Sequence, residues 1–385
     1  MIAISTEERR SRLGLRHHLA VPAKDVATVA SDLAGLHSSD PATVYLTAWA
    51  RVEGFSPDDL ARTLYEDKTL VRMLGMRRTM FVVTREGAAT MDAACTKAVV
   101  APQTKRLAGL IEDSGIADDG EAWVHRVGDA TMQALAGRGE ATAGELSDDI
   151  PELKEKFRYG QGTYGISTRV LFLLATEGRI VRGRPLGSWR SSQYRWVPTE
   201  AWLGGPLPEL DPATARASLL SHWLRAFGPG TELDLKWWTG WNLGQARRAL
   251  TDAGAVEVDL DGRSGYVLPD DVATAAELDN WVALLPGLDP TVMGWKQRDW
   301  YLGDHAEELF DRNGNAGPTV WWNGRVVGGW AQRPDGEIAV ELLEPVPKTT
   351  QAMIDSRAAQ LTEWLDGVVV TPRFRTPLEK KLSSQ

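Results

Sequence analysis

Few residues in this chain of 385 have the type and spacing that chemistry needs. The informative segment is Leu36-His37-Ser38-Ser39-Asp40-Pro41. Asp40 ahead of Pro41 reads as a helix N-cap followed by proline at the first helical position. His37 and Ser39 then sit in the turn between two helices and project from one end of that pair. They offer an acid–base group and a hydrogen-bonding hydroxyl two residues apart. Position alone leaves a second role open for His37, that of a helix C-terminal residue satisfying the last carbonyls. No metal constellation is expected. His17, His18 and His37 are close in sequence, but adjacent His17 and His18 cannot easily face one ion from a helix. There is no His-Glu-x-x-His, no phosphate-cradling glycine loop with lysine and no Gly-x-Ser-x-Gly. Gly160-Gln161-Gly162-Thr163-Tyr164-Gly165 fits a dinucleotide-loop pattern, yet it follows a charged helix rather than a strand and reads as a loop. Cys95 reads as a small buried helical residue.

The elements that position these residues recur. The clearest copy runs from Thr214 to Leu268. Ser218–Phe227 has helical apolar spacing and ends at Gly228-Pro229-Gly230. Glu232–Trp238 is a short helix. Asn242 caps a third helix that stops at Gly254. Val256–Leu260 alternates, Asp261-Gly262 turns, and Gly265–Leu268 returns as a hairpin. Helix, helix, helix, hairpin is the winged-helix arrangement. A second copy spans Glu121–Pro198, with a third helix from Ser167 to Glu177 and a wing of Arg179–Arg182 and Gln193–Val197. A looser copy uses Asp25–Leu36, Val44–Val52 and Pro57–Glu66, with Leu70–Leu74 and Thr79–Val83 as its wing. Beyond Ala276 the texture becomes antiparallel β, turning at Asn323-Gly324 and Asp335-Gly336. A helix over Thr349–Leu365 and a strand over Val368–Thr371 close the chain.

Composition narrows the class. Apolar residues make up 43% and charged residues 25%, enough for a full core. No stretch is long and apolar enough to cross a membrane. One cysteine excludes internal disulfides and a Cys-rich zinc module. The first residues lack the basic-then-apolar order of a signal peptide, so the expected compartment is the cytoplasm. The net charge of −9 argues against a globally basic nucleic-acid binder, but local patches decide phosphate contact. Residues 61–110 carry nine Lys/Arg against four Asp/Glu, a balance of +5. Residues 176–196 carry five Arg against one Glu, a balance of +4. Residues 252–279 carry eight acids against one Arg, a balance of −7, so the third wing should not lie on phosphates. Arg77, Arg78, Arg182, Arg184 and Arg190 are expected phosphate contacts, the alternative being ordinary solvated loop residues. Thirteen of the 16 tryptophans lie between Trp189 and Trp330, where they fill a core or stack on planar ligands.

Gly35-Leu-His-Ser-Ser-Asp-Pro41, Tyr45-Leu-x-x-Trp-Ala50-Arg51 and Gly54-Phe-Ser-Pro57 resemble the start of the AlkZ/YcaQ-like family of winged-helix DNA glycosylases. The resemblance continues in order through Arg77–Val83, Leu285-Pro286-x-x-Asp289-Pro290, Gly317–Val320, Asn323–Gly328 and Thr371-Pro372-Arg373-Phe374. It implies an α+β fold of three tandem winged-helix units in a C shape, followed by a C-terminal antiparallel β-barrel-like unit. The segments would be 1–116, 117–204, 205–275 and 276–385. It also implies a monofunctional glycosylase that hydrolyses the N-glycosidic bond of bulky N7-alkylguanine adducts, in self-resistance to a genotoxic natural product. The family's Gln-x-Gln or Gln-x-Asp motif falls on His37 and Ser39, so both glutamines are replaced. A neutral His37 can accept a proton from water, and Ser39 Oγ can accept one hydrogen bond while donating another. Asp289 would bind the lesion or cap a turn; Arg298 and Trp322 are further lesion-pocket candidates. No metal or cofactor is expected. The expected partner is double-stranded DNA carrying bulky adducts, met by a monomer associated with the nucleoid. The alternative is a non-catalytic winged-helix DNA binder, a regulator or adduct-sequestering protein.

Overall fold

Local signals decide most elements. A computed structural model describes residues 2–159, 162–276 and 278–384 of a mixed α+β chain. Contacts cluster it into two compact units, Met1–Ala61 with Ala217–Gln385, and Arg62–Arg216. The division cuts across the four expected segments and falls inside the Pro57–Tyr65 helix.

In the larger unit the helices Glu232–Thr239 and Leu243–Asp252 each begin with a capping box, at Thr231 and Asn242. They lead into the Val256–Leu260 and Arg263–Val267 hairpin. Its turn uses left-handed Asp261 and Gly262, as a two-residue hairpin requires. Sequence reading missed a third strand: Ile2–Ala3 pairs in parallel with Val256–Leu260. The following helix, Thr6–Arg16, meets one acid of the run around the third wing. Arg12 and Arg16 both reach Asp271, and Arg12 also donates to the Ala273 carbonyl. That carboxylate neutralises arginines of the same unit.

The C-terminal strands Val282–Leu285, Thr319–Trp322, Arg325–Gln332 and Ile338–Leu342 form an antiparallel meander in chain order. The sheet is open, with Val282–Leu285 and Ile338–Leu342 as edges, so the barrel-like expectation is corrected. Asn323 and Gly324 make the expected left-handed turn. Val368–Thr371 is not a strand. Val368 and Val370 are held instead by one side chain: Gln332 Nε2 donates to Val368 O (3.0 Å) and Gln332 Oε1 accepts from Val370 N (2.7 Å). A side-chain amide thus substitutes for a neighbouring strand. A final helix, Pro377–Ser383, follows.

The smaller unit contains the Leu70–Leu74 and Met80–Thr84 hairpin, a long helical stretch ending in Val100–Asp113, and the second repeat. That repeat has helices Gly120–Arg138, Ala143–Asp149 and Ile166–Thr176, with the wing Ile180–Pro185 and Tyr194–Pro198. The loop reading over 160–165 is corrected in part. Gly162–Gly165 is a strand paired with Lys156–Tyr159, while Gly160 and Gln161 lie outside the described residues. Cys95 is half-buried in a π-helical turn, less enclosed than expected.

The core of the larger unit is aromatic. Trp295 contacts Phe227, Trp300 and Tyr301 at ring-centroid distances of 5.3, 5.1 and 5.7 Å. Trp223, Trp238, Trp241, Trp281, Trp321 and Trp330 are also buried. Most of the Trp-rich stretch is therefore packing.

All nine residues of the Pro41–Trp49 helix are buried, so it has no polar face. Burying Val44 and Leu46 contributes roughly 1.5–3 kcal/mol each. Thr43 Oγ1 donates to Gly287 O (2.8 Å) and Thr47 Oγ1 to Asp289 Oδ2 (3.0 Å). Two residues past the helix, Arg51 forms a fork with Asp289, at 2.9 and 2.7 Å. Both side chains are wholly buried. Arg51 also donates to His17 O and Thr291 Oγ1. His17 Nε2 meets the Ala226 carbonyl, which can only accept, so Nε2 carries the proton. Nδ1 then accepts from Thr291 Oγ1 at 2.8 Å. Burial, reinforced by nearby Arg51, pushes the His17 pKa well below its ordinary 6.5.

Two expectations follow. Asp289→Asn leaves the Arg51 charge buried without a counter-ion and should cost about 3–5 kcal/mol, read from denaturant unfolding. His17 stays neutral in the fold while the unfolded chain binds a proton below pH about 6.5. Stability should therefore fall by about 1.4 kcal/mol per pH unit as pH drops below that point. His17→Gln should remove this slope when unfolding is measured at successive pH values.

Candidate active site

The His37 segment lies between two well-specified helices. Val26–Asp32 is capped by Asp25, whose carboxylate accepts from Thr28 N at 2.7 Å. The chain turns at Ala34 and Gly35, both with positive φ, and extends through Leu36–His37. His37 is therefore not the C-terminal residue of a helix, and that reading is corrected. Asp40 caps the next helix as expected: Oδ1 accepts from Ala42 N (3.1 Å), with Pro41 at the first position.

The segment alternates. His37 and Ser39 are half-buried, while Ser38 and Asp40 between and after them point inward. The two candidate residues thus share a partly accessible side. The Ser39 amide points at His37 Nδ1, 3.5 Å away. While that contact is made Nδ1 is the acceptor, so a neutral ring carries its proton on Nε2. Ser38 Oγ is buried without a hydrogen-bond partner.

Asp40 has a second job. Its Oδ2 accepts the Arg373 amide at 2.8 Å, and Arg373 Nη1 donates to Ser39 O at 3.3 Å. Burial pushes the Asp40 carboxyl above its ordinary value, and the Arg373 and Ala42 amides oppose the shift only in part. A small cleft beside Asp40 is lined by Thr43, Leu46, Pro286, Trp330 and Pro372 among others.

The other expected site residues scatter. Arg77 and Arg78 are exposed at the tip of the Leu70–Leu74 and Met80–Thr84 hairpin, both with left-handed backbone. Arg182 packs against the Tyr194 and Trp196 rings at 5.0 and 5.3 Å. Arg184 is exposed, pairs with Glu66 at 3.3 Å and covers Tyr65. Arg190 is exposed in the loop between the wing strands. These five belong to the smaller unit, His37 and Ser39 to the larger. Asp289 is completely buried and saturated by Arg51, Thr47 and the Thr291 amide, so it is the counter-ion of Arg51 and not a lesion-facing group. Arg298 is held between the rings of Trp237 and Phe310, at 4.7 and 4.5 Å. Trp322 is half-buried, its indole N–H bound to Asn280 Oδ1. Sequence reasoning misses Arg51 and Arg373; the signal for both is a charged residue inside an otherwise apolar or turn-forming stretch. Among the described residues no cluster of His, Cys, Asp and Glu could hold a metal ion.

A mixed fold of helices and small sheets of this kind has a counterpart among solved structures. The fold is similar to that of the Streptomyces sahachiroi DNA glycosylase AlkZ, with a TM-score of 0.75 and 21% identity over 96% of this chain and 99% of that one. No curated protein is matched. Residues 30–364 match the family model described as DNA glycosylase AlkZ-like, and the chain belongs to that family.

Asp40→Ala should free both the helix start and the Arg373 segment. We expect a loss of about 1–3 kcal/mol. Hydrogen exchange should show deprotected amides at Ala42 and Arg373, while Thr28, bound to the neighbouring cap Asp25, keeps its protection.

Proposed function

We propose that this protein is a monofunctional DNA glycosylase that excises bulky N7-alkylguanine adducts with His37 and Ser39 holding the attacking water. Family membership carries the reading. The half-buried His37 and Ser39, four and two residues before a buried helix, support it. Self-resistance to a genotoxic product, and a monomer acting at the nucleoid on double-stranded DNA, belong to the same proposal. So does the view that the three helix–helix–helix–hairpin segments act as winged units. Arg77, Arg78, Arg182, Arg184 and Arg190 would meet the DNA backbone; Arg298 and Trp322 would lie toward the adduct.

The chemistry asks little of the two side chains. N7 alkylation makes the base cationic. When the C1′–N9 bond breaks, the bonding pair neutralises the departing base. The sugar becomes oxocarbenium-like, water adds to C1′, and its proton passes to solvent. The enzyme has to place that water. His37 Nε2–H donates to the water oxygen, and Ser39 Oγ accepts one of its protons. This modifies the expectation of His37 as base: with Nδ1 facing the Ser39 amide, the ring orients water and does not deprotonate it.

Single-turnover excision tests the reading. The substrate is a duplex carrying one bulky N7-guanine adduct, with alkaline cleavage at abasic sites. Wild type should cleave, and His37→Ala should slow excision by about 10²–10⁴ with DNA binding intact. Binding by wild type without abasic sites across several adducts would favour the non-catalytic binder.

A further inference from the structure

Beside Ser39 lies an arginine that packing does not require. Arg373 is exposed, and its guanidinium forms no ion pair among the described residues. Its surroundings are nevertheless fixed. The backbone before it is held at Val368 and Val370 by the buried Gln332 amide. Its own amide is held by Asp40, and one guanidinium nitrogen is tethered to the Ser39 carbonyl. The Phe374 ring lies 5.8 Å away on one side. The result is a cation placed by the fold, with most of its donors facing out, against one of the two residues proposed to hold water.

An unpaired positive charge there would oppose the reaction. The sugar gains positive charge as the base leaves, and a nearby bare guanidinium raises the energy of that state. A bound anion reverses the sign. DNA supplies one beside every sugar, and a planar guanidinium suits phosphate oxygens. We propose that Arg373 clamps a backbone phosphate flanking the nucleotide being excised, and that its bond to the Ser39 carbonyl couples this contact to the position of Ser39. The inference rests on the glycosylase reading for its chemistry, but its phosphate contact can be measured apart from catalysis.

The experiment compares wild type, Arg373→Ala and Arg373→Lys. The Asp40 bond is to the Arg373 backbone, so either substitution retains it and the fold should hold; unchanged thermal unfolding checks this. Affinity for unmodified duplex is measured against salt. Losing one phosphate contact should lower the slope of log affinity on log salt by about 0.9 in Arg373→Ala. Arg373→Lys should keep the slope. At saturating protein, single-turnover excision should fall at least several-fold in both variants, because neither lysine nor alanine restores the guanidinium bond to Ser39. An unchanged slope in Arg373→Ala would overturn the clamp. An unchanged saturated rate would overturn its coupling to Ser39. Failure of wild type to release any adduct would sink the glycosylase reading, and the slope on unmodified DNA would still decide the phosphate contact.

Discussion

The buried fork between Arg51 and Asp289 is the constraint on which the larger unit turns. Neither side chain touches solvent, and each charge is tolerable only because the other is present. Arg51 follows the Pro41–Trp49 helix; Asp289 lies in the loop after the Val282–Leu285 strand. Thr43 and Thr47 spend their hydroxyls on that same loop. One helix, with no exposed face, is thus locked to a segment about 240 residues further along the chain. Asp40 at its other end ties it to Arg373. The candidate catalytic segment is held where it is by the C-terminal part of the chain.

What was legible in the sequence follows from how local each signal is. The third repeat could be read almost residue by residue, because capping boxes at Thr231 and Asn242 and the Asp261-Gly262 turn are decided within a few residues. The Asn323-Gly324 hairpin and the Asp40-Pro41 helix start were legible for the same reason. Long-range choices were not. Nothing near Asp289 marks Arg51 as its partner, so an acid between two prolines looked like a ligand group. Asp271 in the acidic run around the third wing looked like a surface feature, since its arginine partners lie on the first helix. The Val368–Thr371 stretch has strand-like residues but no strand beside it, and the Gln332 amide that replaces one could not be inferred from spacing.

The candidate site shows the same division. Sequence placed His37 and Ser39 together and gave the cap that follows them. It could not show that the Ser39 amide faces His37 Nδ1, and that contact changes the chemistry. A histidine with both nitrogens open could act as a base. With Nδ1 accepting, Nε2 carries the proton, and under the proposed reading it would donate a hydrogen bond. On the proposed reading Ser39 would supply the acceptor, and the pair would offer one donor and one acceptor to a water.

The arrangement also bears on how a loop would serve as the proposed active site. Loops usually move, and a misplaced water is a poor nucleophile. In this segment inward residues alternate with half-buried ones. Asp40 fixes the backbone from within, leaving His37 and Ser39 partly accessible. Asp40 is tied on both oxygens, to the helix start and to the Arg373 segment. Its burial is costly, since the carboxyl is pushed above its ordinary value, and the gain is a rigid corner. That cost makes sense where a position must be held to a fraction of an ångström, as it must for a water aimed at one carbon of a sugar.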